Sequence, residues 1–581
     1  MRVNNLNWKI GGEAGYGILS AGEVFAYAMA HGGLETFAYL EYPSLIRGGH
    51  NTYQVWVRED SVESHSSQVD LLVALNKETI ERHLSELVED GGLLYDENDK
   101  TLREYACSTR QHNCFAVPME ELAKQAGGEK VMRNMVAVGA SLGLVGYPYD
   151  YLVSLIERVF SKKGKKMVEL NQAAAKLGYE HTREHYASQF NYRLEVRPGK
   201  EKRMLINGNE AIAMGAIKAG LKFYAAYPMT PASSILHYLA AQEREYKLVV
   251  KQTEDEIAAM NMAVGASFTG ARSMVATSGG GFSLMVEALG LAGMVEAGVV
   301  VVLAQRPGPA TGLPTWTEQG DLRFALHAAQ GDFPRVILAP GDPEECFSFT
   351  FLAHNLADKY QLPVIILTDK YLAEARQTVP MFSLAGLKID RGELADTSAL
   401  PAEARFARYA VTPSGVSPRS IPGQPGGVFV ANSDEHEPTG LADEEAEMRL
   451  AQMDKRMKKL QTLRSDIPES VKLYGPKEAD VTIVGWGSTK GPILEAMKQV
   501  SVNGKSKSVN FLQVRLLEPF PIKEIDTVLR QAKRRVLVEN NYSGQLGGLI
   551  REKTGIDITE KLLKYDGRPI HPEEIISYVN G

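Results

Sequence analysis

Short apolar runs bounded by glycine, proline and polar residues recur along the whole chain, with amphipathic stretches of helical period between them. The run Asn7–Ile10 leads into GGEAGYG and then into Ile18–His31, a strand, a Gly-rich turn and a helix. Thr52–Val57 and Val69–Leu75 are further predicted strands, with helices near Glu78–Leu87 and Tyr151–Phe160. Strand and helix patterns in alternation predict a mostly parallel α/β sheet. The polar, Pro/Gly-bearing stretch 193–203 marks a boundary. Beyond it, Val299–Leu303 and Val364–Leu367 are continuous apolar runs, suited to central strands covered on both faces.

Residues 376–440, with VTPSGVSPRSIPGQPGG at their centre, predict a long irregular connection. An amphipathic helix follows over Asp443–Arg464, with Met453, Met457, Leu460 and Leu463 on one face. The strands VTIVGWG, VNFLQVRLLEPFP and VLVENN belong to a last small α/β unit. The pentapeptide AVGAS, at 137–141 and 263–267, marks two helix starts that need small residues for close packing. Four segments result: 1–192, 204–376, 377–470 and 471–581.

A length of 581 residues suggests three or four domains, at about 100–200 residues each. Apolar residues make up 44% and charged residues 23%, enough for several cores. The net charge of −7 argues against a general nucleic-acid role, which requires a basic face. The three cysteines, Cys107, Cys114 and Cys346, have no C-x-x-C spacing, which argues against a disulfide framework and for a reducing compartment. A four-iron cluster takes four thiolates, so none is expected on this chain alone. The N-terminal MRVNNLNWKIGGEAG has no apolar core or cleavage signature, and no stretch of about 18 residues is apolar throughout. A cytoplasmic protein without a membrane span is expected.

Four pieces of the 204–376 segment carry candidate chemistry. In YPMTPAS (227–233), prolines follow Tyr227 and Thr230, keeping both out of helix. The turn presents the Thr230 hydroxyl at a strand's C-terminal edge, where α/β sheets bind ligands; a rigid turn with no ligand is the alternative. In QTEDEIAAMNMAVGASFTG (252–270), Glu254, Asp255 and Glu256 stand at a predicted helix start, where carboxylates offset the dipole. Glu256 borders the apolar face, so partial burial would tune its protonation. MVATSGGGFSLM (274–285) takes a strand through Ser278, Gly279, Gly280 and Gly281 into a helix, a turn that lets backbone approach a ligand. Arg306 follows a buried strand and suits a carboxylate, whether a substrate's or a neighbouring acid's.

As a set, Tyr227–Pro231, Glu256, Thr277–Gly281 and Arg306 resemble the pyrimidine-binding domain in the alpha subunit of 2-oxoacid:ferredoxin oxidoreductases. GGEAGYG with LEYPSLIRGGH (40–50) is similar to the family's gamma domain, here fused in front over 1–192. The 471–581 segment resembles the family's transketolase-like C-terminal domain, and 377–470 is linker plus helix. No GDG followed some thirty residues later by Asn is present, and no cysteine cluster.

The resemblance implies a multidomain α/β thiamine-diphosphate enzyme subunit. Its reaction is the reversible, coenzyme A-dependent oxidative decarboxylation of a 2-oxoacid, with electrons passing to ferredoxin. It also implies a beta subunit that shares the thiamine diphosphate and carries Mg²⁺ and a [4Fe-4S] cluster, in a dimer of alpha–beta heterodimers; no metal is expected on this chain. Glu256 would hydrogen-bond the pyrimidine N1′, Thr230 and Arg306 would hold the 2-oxoacid, and Tyr227, Pro228, Ser278 and Gly279 would line the cofactor. Gly12, Gly15, Gly17 and Arg47 are the residues nearest a coenzyme A, with plain packing as the alternative for the glycines. The basic run KKGKK (162–166) is more in keeping with a solvated surface. The fused arrangement resembles 2-oxoglutarate enzymes most, with pyruvate and branched-chain or aryl 2-oxoacids open. A transketolase-like transferase would carry its diphosphate motif in the same chain, and a nonenzymatic nucleotide-binding scaffold would leave Thr230, Glu256 and Arg306 unexplained.

Overall fold

The structure, a computed structural model, describes the chain except residues 46–47, 109–111, 187, 200–201, 398–404, 468 and 501–507. It forms two compact units. The first comprises Met1–Asn207, Glu374–Met381 and His571–Glu574; the second comprises Gly208–Ala373, Phe382–Ile570 and Ile575–Gly581.

The first unit is built on an eight-stranded sheet. From one edge its strands are Asn113–Val117, Leu87–Asp96, Val69–Ala74, Asn5–Glu13, His50–Arg58, Glu35–Glu41, Arg376–Pro380 and Arg203–Asn207. The half up to Asn5–Glu13 pairs in parallel and the rest antiparallel, so the sheet is mixed rather than mostly parallel. The short link between Glu35–Glu41 and His50–Arg58 accounts for part of this, because a parallel pair needs a crossover of a dozen or more residues. Helix Ile18–His31 packs on this sheet with Phe25 stacked on Trp8, ring centroids 4.2 Å apart. The first AVGAS lies within helix Arg133–Leu144, not at its start. A Cβ on Gly139 would come within 1.8 Å of the Ala175 carbonyl, so only glycine lets this helix meet Lys165–His185. The second AVGAS falls late in helix Glu256–Phe268, where Gly265 has no neighbour within 4 Å and close packing does not explain it.

The second unit holds two sheets. The larger runs Val249–Gln252, Phe223–Ala226, Ser273–Thr277, Val300–Gln305, Val364–Asp369, Val336–Leu338 and Leu516–Glu518. All pair in parallel except Leu516–Glu518, which closes one edge antiparallel. The strands Val300–Gln305 and Val364–Asp369 are buried throughout, as their apolar runs require. Val471–Tyr474, Val509–Val514, Val481–Gly485, Arg535–Glu539 and Glu560–Leu563 form the second sheet. One apolar cluster joins residues of both, from Val275 and Leu303 to Leu512 and Leu537.

The stretch after Pro380 is largely irregular up to helix Ala446–Thr462. Of the predicted apolar face only Leu463, in the turn just past the helix, is buried. Gln452, Lys455, Arg456 and Lys459 are the helix's buried residues, while Met453, Met457 and Leu460 stay partly exposed. The cause is a buried acid: Glu296 accepts from Lys455 at 2.6 Å and from Lys459. Among the described residues no helix is long and apolar enough to cross a membrane.

Candidate active site

The candidate residues of the second unit come from the C-terminal ends of neighbouring parallel strands, where an open α/β sheet leaves its crevice. Strand Phe223–Ala226 ends in Tyr227 and Pro228, then Met229, Thr230 and a cis Thr230–Pro231 peptide. Tyr227 is exposed and Thr230 partly so. The Asn209 amide donates to the Pro231 carbonyl at 2.7 Å and to Ser234, fixing the turn.

Strand Ser273–Thr277 runs into Ser278, which is fully buried with its hydroxyl unpartnered. Ser278 heads helix Gly279–Met294 without capping it, and the helix has no acidic residue in its first turn. The positive end of the dipole is therefore uncompensated by this helix's own side chains.

Glu256 opens helix Glu256–Phe268, whose true cap is Asp255, accepting from the Ala258 N–H at 2.8 Å. Capping thus explains Asp255 and not Glu256. The Glu256 side chain is 4% exposed, and its Oε1 is buried without a partner. An orphaned carboxylate oxygen is costly, about 1–3 kcal/mol or more for a charged group. It lies against the next helix: a Cβ on Gly281 would be 2.5 Å from Glu256 Oε1 and 2.1 Å from Thr277 Oγ1. The Thr277 hydroxyl in turn meets the Met229 sulfur at 3.8 Å. The YPMTP turn, the Gly-rich turn and Glu256 therefore converge on one place.

Arg306 follows strand Val300–Gln305 and donates through Nη1 to the Thr230 carbonyl at 2.7 Å. The two residues expected to hold a 2-oxoacid are thus in direct contact. Burial depresses the guanidinium and Asp321 opposes the shift. Asp321 and Glu318 are two carboxylates that the sequence reading passed over. Asp321 is pushed up to about 6 by burial, with Arg306 pulling the other way; its Oδ2 is buried and unpartnered. A Cβ on Gly279 would stand 2.8 Å from that oxygen. Glu318 is pushed up to about 7 by burial and by Asp321. Their only sequence signal was the short acidic run TEQGD inside a Pro/Gly-rich loop.

In the first unit, the GGEAGYG turn ends at Gly17, the left-handed cap of helix Ile18–His31. A Cβ on Gly12 would press on Tyr16 and Ile18, and one on Gly17 would come within 2.2 Å of Asn134, so packing accounts for both. Gly15 has φ +95° and open space around it. Arg47 lies outside the described residues. The KKGKK lysines are exposed, with Lys163 over the Phe160 ring.

Residues 214–455 match the family model for the thiamine-diphosphate-binding part of pyruvate flavodoxin/ferredoxin oxidoreductases. Residues 7–181 match that for pyruvate ferredoxin/flavodoxin oxidoreductase, and 479–575 that for core domain II of pyruvate:ferredoxin oxidoreductase. The alpha subunit of a 2-oxoacid:ferredoxin oxidoreductase from Saccharolobus solfataricus is 34% identical over 98% of this chain and 96% of its own. The chain belongs to the 2-oxoacid:ferredoxin oxidoreductases.

Within this family, the 2-oxoglutarate oxidoreductase subunit KorA of Mycobacterium tuberculosis is 30% identical over all of this chain and 91% of its own. The 2-oxoglutarate:ferredoxin oxidoreductase of Magnetococcus marinus, solved with 2-oxoglutarate, coenzyme A and succinyl-CoA bound, is similar at a TM-score of 0.90. It is 32% identical, with 99% of each chain covered. This chain is therefore an oxidoreductase subunit with a thiamine-diphosphate-binding segment. Tyr227, Pro228, Thr230, Glu256, Ser278, Gly279, Arg306, Glu318 and Asp321 all lie inside that segment.

Proposed function

We propose that this chain is the alpha subunit of a 2-oxoglutarate:ferredoxin oxidoreductase, forming succinyl-CoA, CO₂ and reduced ferredoxin, or running in reverse when the ferredoxin is reducing enough. The observation that carries the site is the buried Glu256 carboxylate with Oε1 unpartnered, beside a glycine floor and an Arg306–Thr230 clamp. These residues fit a thiamine diphosphate whose pyrimidine faces Glu256. Oε1 offers the ring nitrogen a hydrogen-bond partner, and Gly281 leaves room for the Glu256 carboxylate that a side chain there would displace. Once bound, thiamine diphosphate supplies the electron sink that decarboxylation of a 2-oxoacid requires.

Glu256 holds and shares a proton at the pyrimidine nitrogen. Arg306 binds the 2-oxoacid carboxylate with its remaining donors, and the Thr230 hydroxyl bonds the carboxylate or keto oxygen. Tyr227, Pro228, Ser278 and Gly279 border the cofactor. A beta subunit supplies Mg²⁺, the diphosphate contacts and a [4Fe-4S] cluster in a dimer of alpha–beta heterodimers. Coenzyme A approaches the open turn at Gly15, between Gly12 and Gly17; Arg47, outside the described residues, is the fourth residue assigned to it. The 2-oxoglutarate preference rests on the M. marinus and M. tuberculosis relatives.

The purified native complex tests this reading. It should be brown, and kcat/KM with coenzyme A and ferredoxin should be greater for 2-oxoglutarate than for pyruvate. A preference for pyruvate or a branched-chain 2-oxoacid overturns the substrate. Turnover by this chain alone overturns the need for a partner.

A further inference from the structure

A second cluster of charge, outside the site just described, lies beneath the irregular stretch that precedes helix Ala446–Thr462. Six cationic side chains gather there: Arg272, Arg391, Arg408, Arg419, Lys455 and Lys459. Two deep carboxylates face them. Glu296 takes Lys455 and Lys459, and Asp358 takes Arg272 at 2.8 Å, Arg391 at 2.7 Å and Arg419 at 3.1 Å. A third acid, Asp390, is exposed and shared with Lys359. Arg408 meets no carboxylate among the described pairs; its Nη2 donates to the Glu296 carbonyl at 3.0 Å. Arg391 reaches solvent, but the other five cations are buried against two buried carboxylates, an excess of positive charge that is expensive unless something neutralises it. The bases register it. Burial and the neighbouring cations hold Lys459 down at about 8 against the pull of Glu296, and Arg419 is depressed by burial and by Arg391 and Arg408.

The same place holds a cavity of about 20 Å³, lined by Ser267, Glu296, Gly298, Arg408, Arg419 and Ser420 among others; the two Glu296 carboxylate oxygens are already taken by Lys455 and Lys459. Arg408 and Arg419 are 5% and 7% exposed, and each keeps one buried nitrogen with no partner among the described residues, Nη1 and Nε respectively. About 10–15 Å³ is the least that admits one water-sized particle. A water would accept from both arginines but leave the charge unbalanced. The buried space matches one small ion better than a phosphate or carboxylate group.

We infer that this cavity is a binding site for a single small monovalent anion of the halide class, which fastens residues 405–464 to the helices and strands around Ser267 and Gly298. Crystals of the assembled complex grown with bromide in place of chloride test it at the bromine absorption edge. An anomalous peak within hydrogen-bond reach of Arg408 Nη1 and Arg419 Nε is expected; a cavity holding only water overturns the proposal. At fixed ionic strength, chloride should also raise the melting temperature of the complex above its value in gluconate, which is too large to enter. Arg408→Gln should abolish that difference. A chloride effect that survives the substitution overturns the assignment, and the bromide crystal decides alone if the variant does not fold.

Discussion

Glu256 and Glu296 are buried glutamates of the same unit, 4% and 2% exposed, and their carboxylates are treated in opposite ways. Glu296 has a lysine on each oxygen, and although burial alone would raise it, Lys459, Lys455 and Arg408 hold it well below the usual carboxylate range. Glu256 has a buried oxygen with nothing on it, on the floor of a crevice made by three strand ends. A fold satisfies a buried acid whose role is structural. An acid left unsatisfied at a strand-end crevice is one whose partner arrives with the ligand, and the desolvation cost is recovered on binding.

The largest effect expected from this contrast is on turnover. Glu256→Gln in the assembled complex should lower kcat by about 10²–10⁴-fold, the usual loss for a proton-transfer group. Its melting temperature should hold or rise, since an unpaired buried carboxylate is replaced by a neutral amide. Near-normal turnover would remove Glu256 from the chemistry, and a large stability loss would make it a structural acid like Glu296.

The converse experiment is Glu296→Gln. Removing one partner of a buried ion cluster strands the others, at about 3–5 kcal/mol. A large fall in melting temperature with kcat per folded enzyme unchanged is expected. Lost turnover at unchanged stability would end the distinction between the two acids.

Arg306→Ala comes next. A charge-assisted hydrogen bond is worth roughly 1.5–3 kcal/mol, or about 10- to 150-fold in kcat/KM for the 2-oxoacid. Arg306→Lys should recover only part, because an ammonium cannot reproduce the guanidinium fork. If Arg306 serves only to tie down the Thr230 carbonyl, melting temperature falls while kcat/KM holds.

The contrast was half legible beforehand. Thr230, Glu256, the Gly-rich turn and Arg306 each stand at a strand end or helix start, positions that apolar runs and prolines mark locally. The Glu296 cluster is not local: its lysines lie 159 and 163 residues away, so the helical period showed a methionine face while the buried face is the charged one. The same holds for the mixed sheet, where Arg376–Pro380 inserts between Glu35–Glu41 and Arg203–Asn207, a pairing no short window reveals. Glu318 and Asp321 were missed because their loop has no period, and their burial follows from what packs around it.

Those two carboxylates give the smallest effect and the sharpest sign. Burial pushes Asp321 up to about 6, and burial with Asp321 pushes Glu318 up to about 7. Between the ordinary carboxylate range, about 4, and these values, the folded enzyme keeps protons that the unfolded chain has released. Their contribution to stability therefore falls as pH rises from about 4 to 7. Glu296 does the reverse: its depressed value contributes stability present above the ordinary range and lost as pH falls below it. Glu318→Gln in the complex without 2-oxoacid should leave the melting temperature at pH 5 nearly unchanged and raise it at pH 7.5. Glu318 is partly exposed, so solvent screening keeps the gain under about 1 kcal/mol. Glu296→Gln should lower the melting temperature at both values. Parallel pH profiles for wild type and Glu318→Gln would show that Glu318 adds no strained charge to the crevice before substrate binds, leaving Glu256 and Asp321 as its unsatisfied acids.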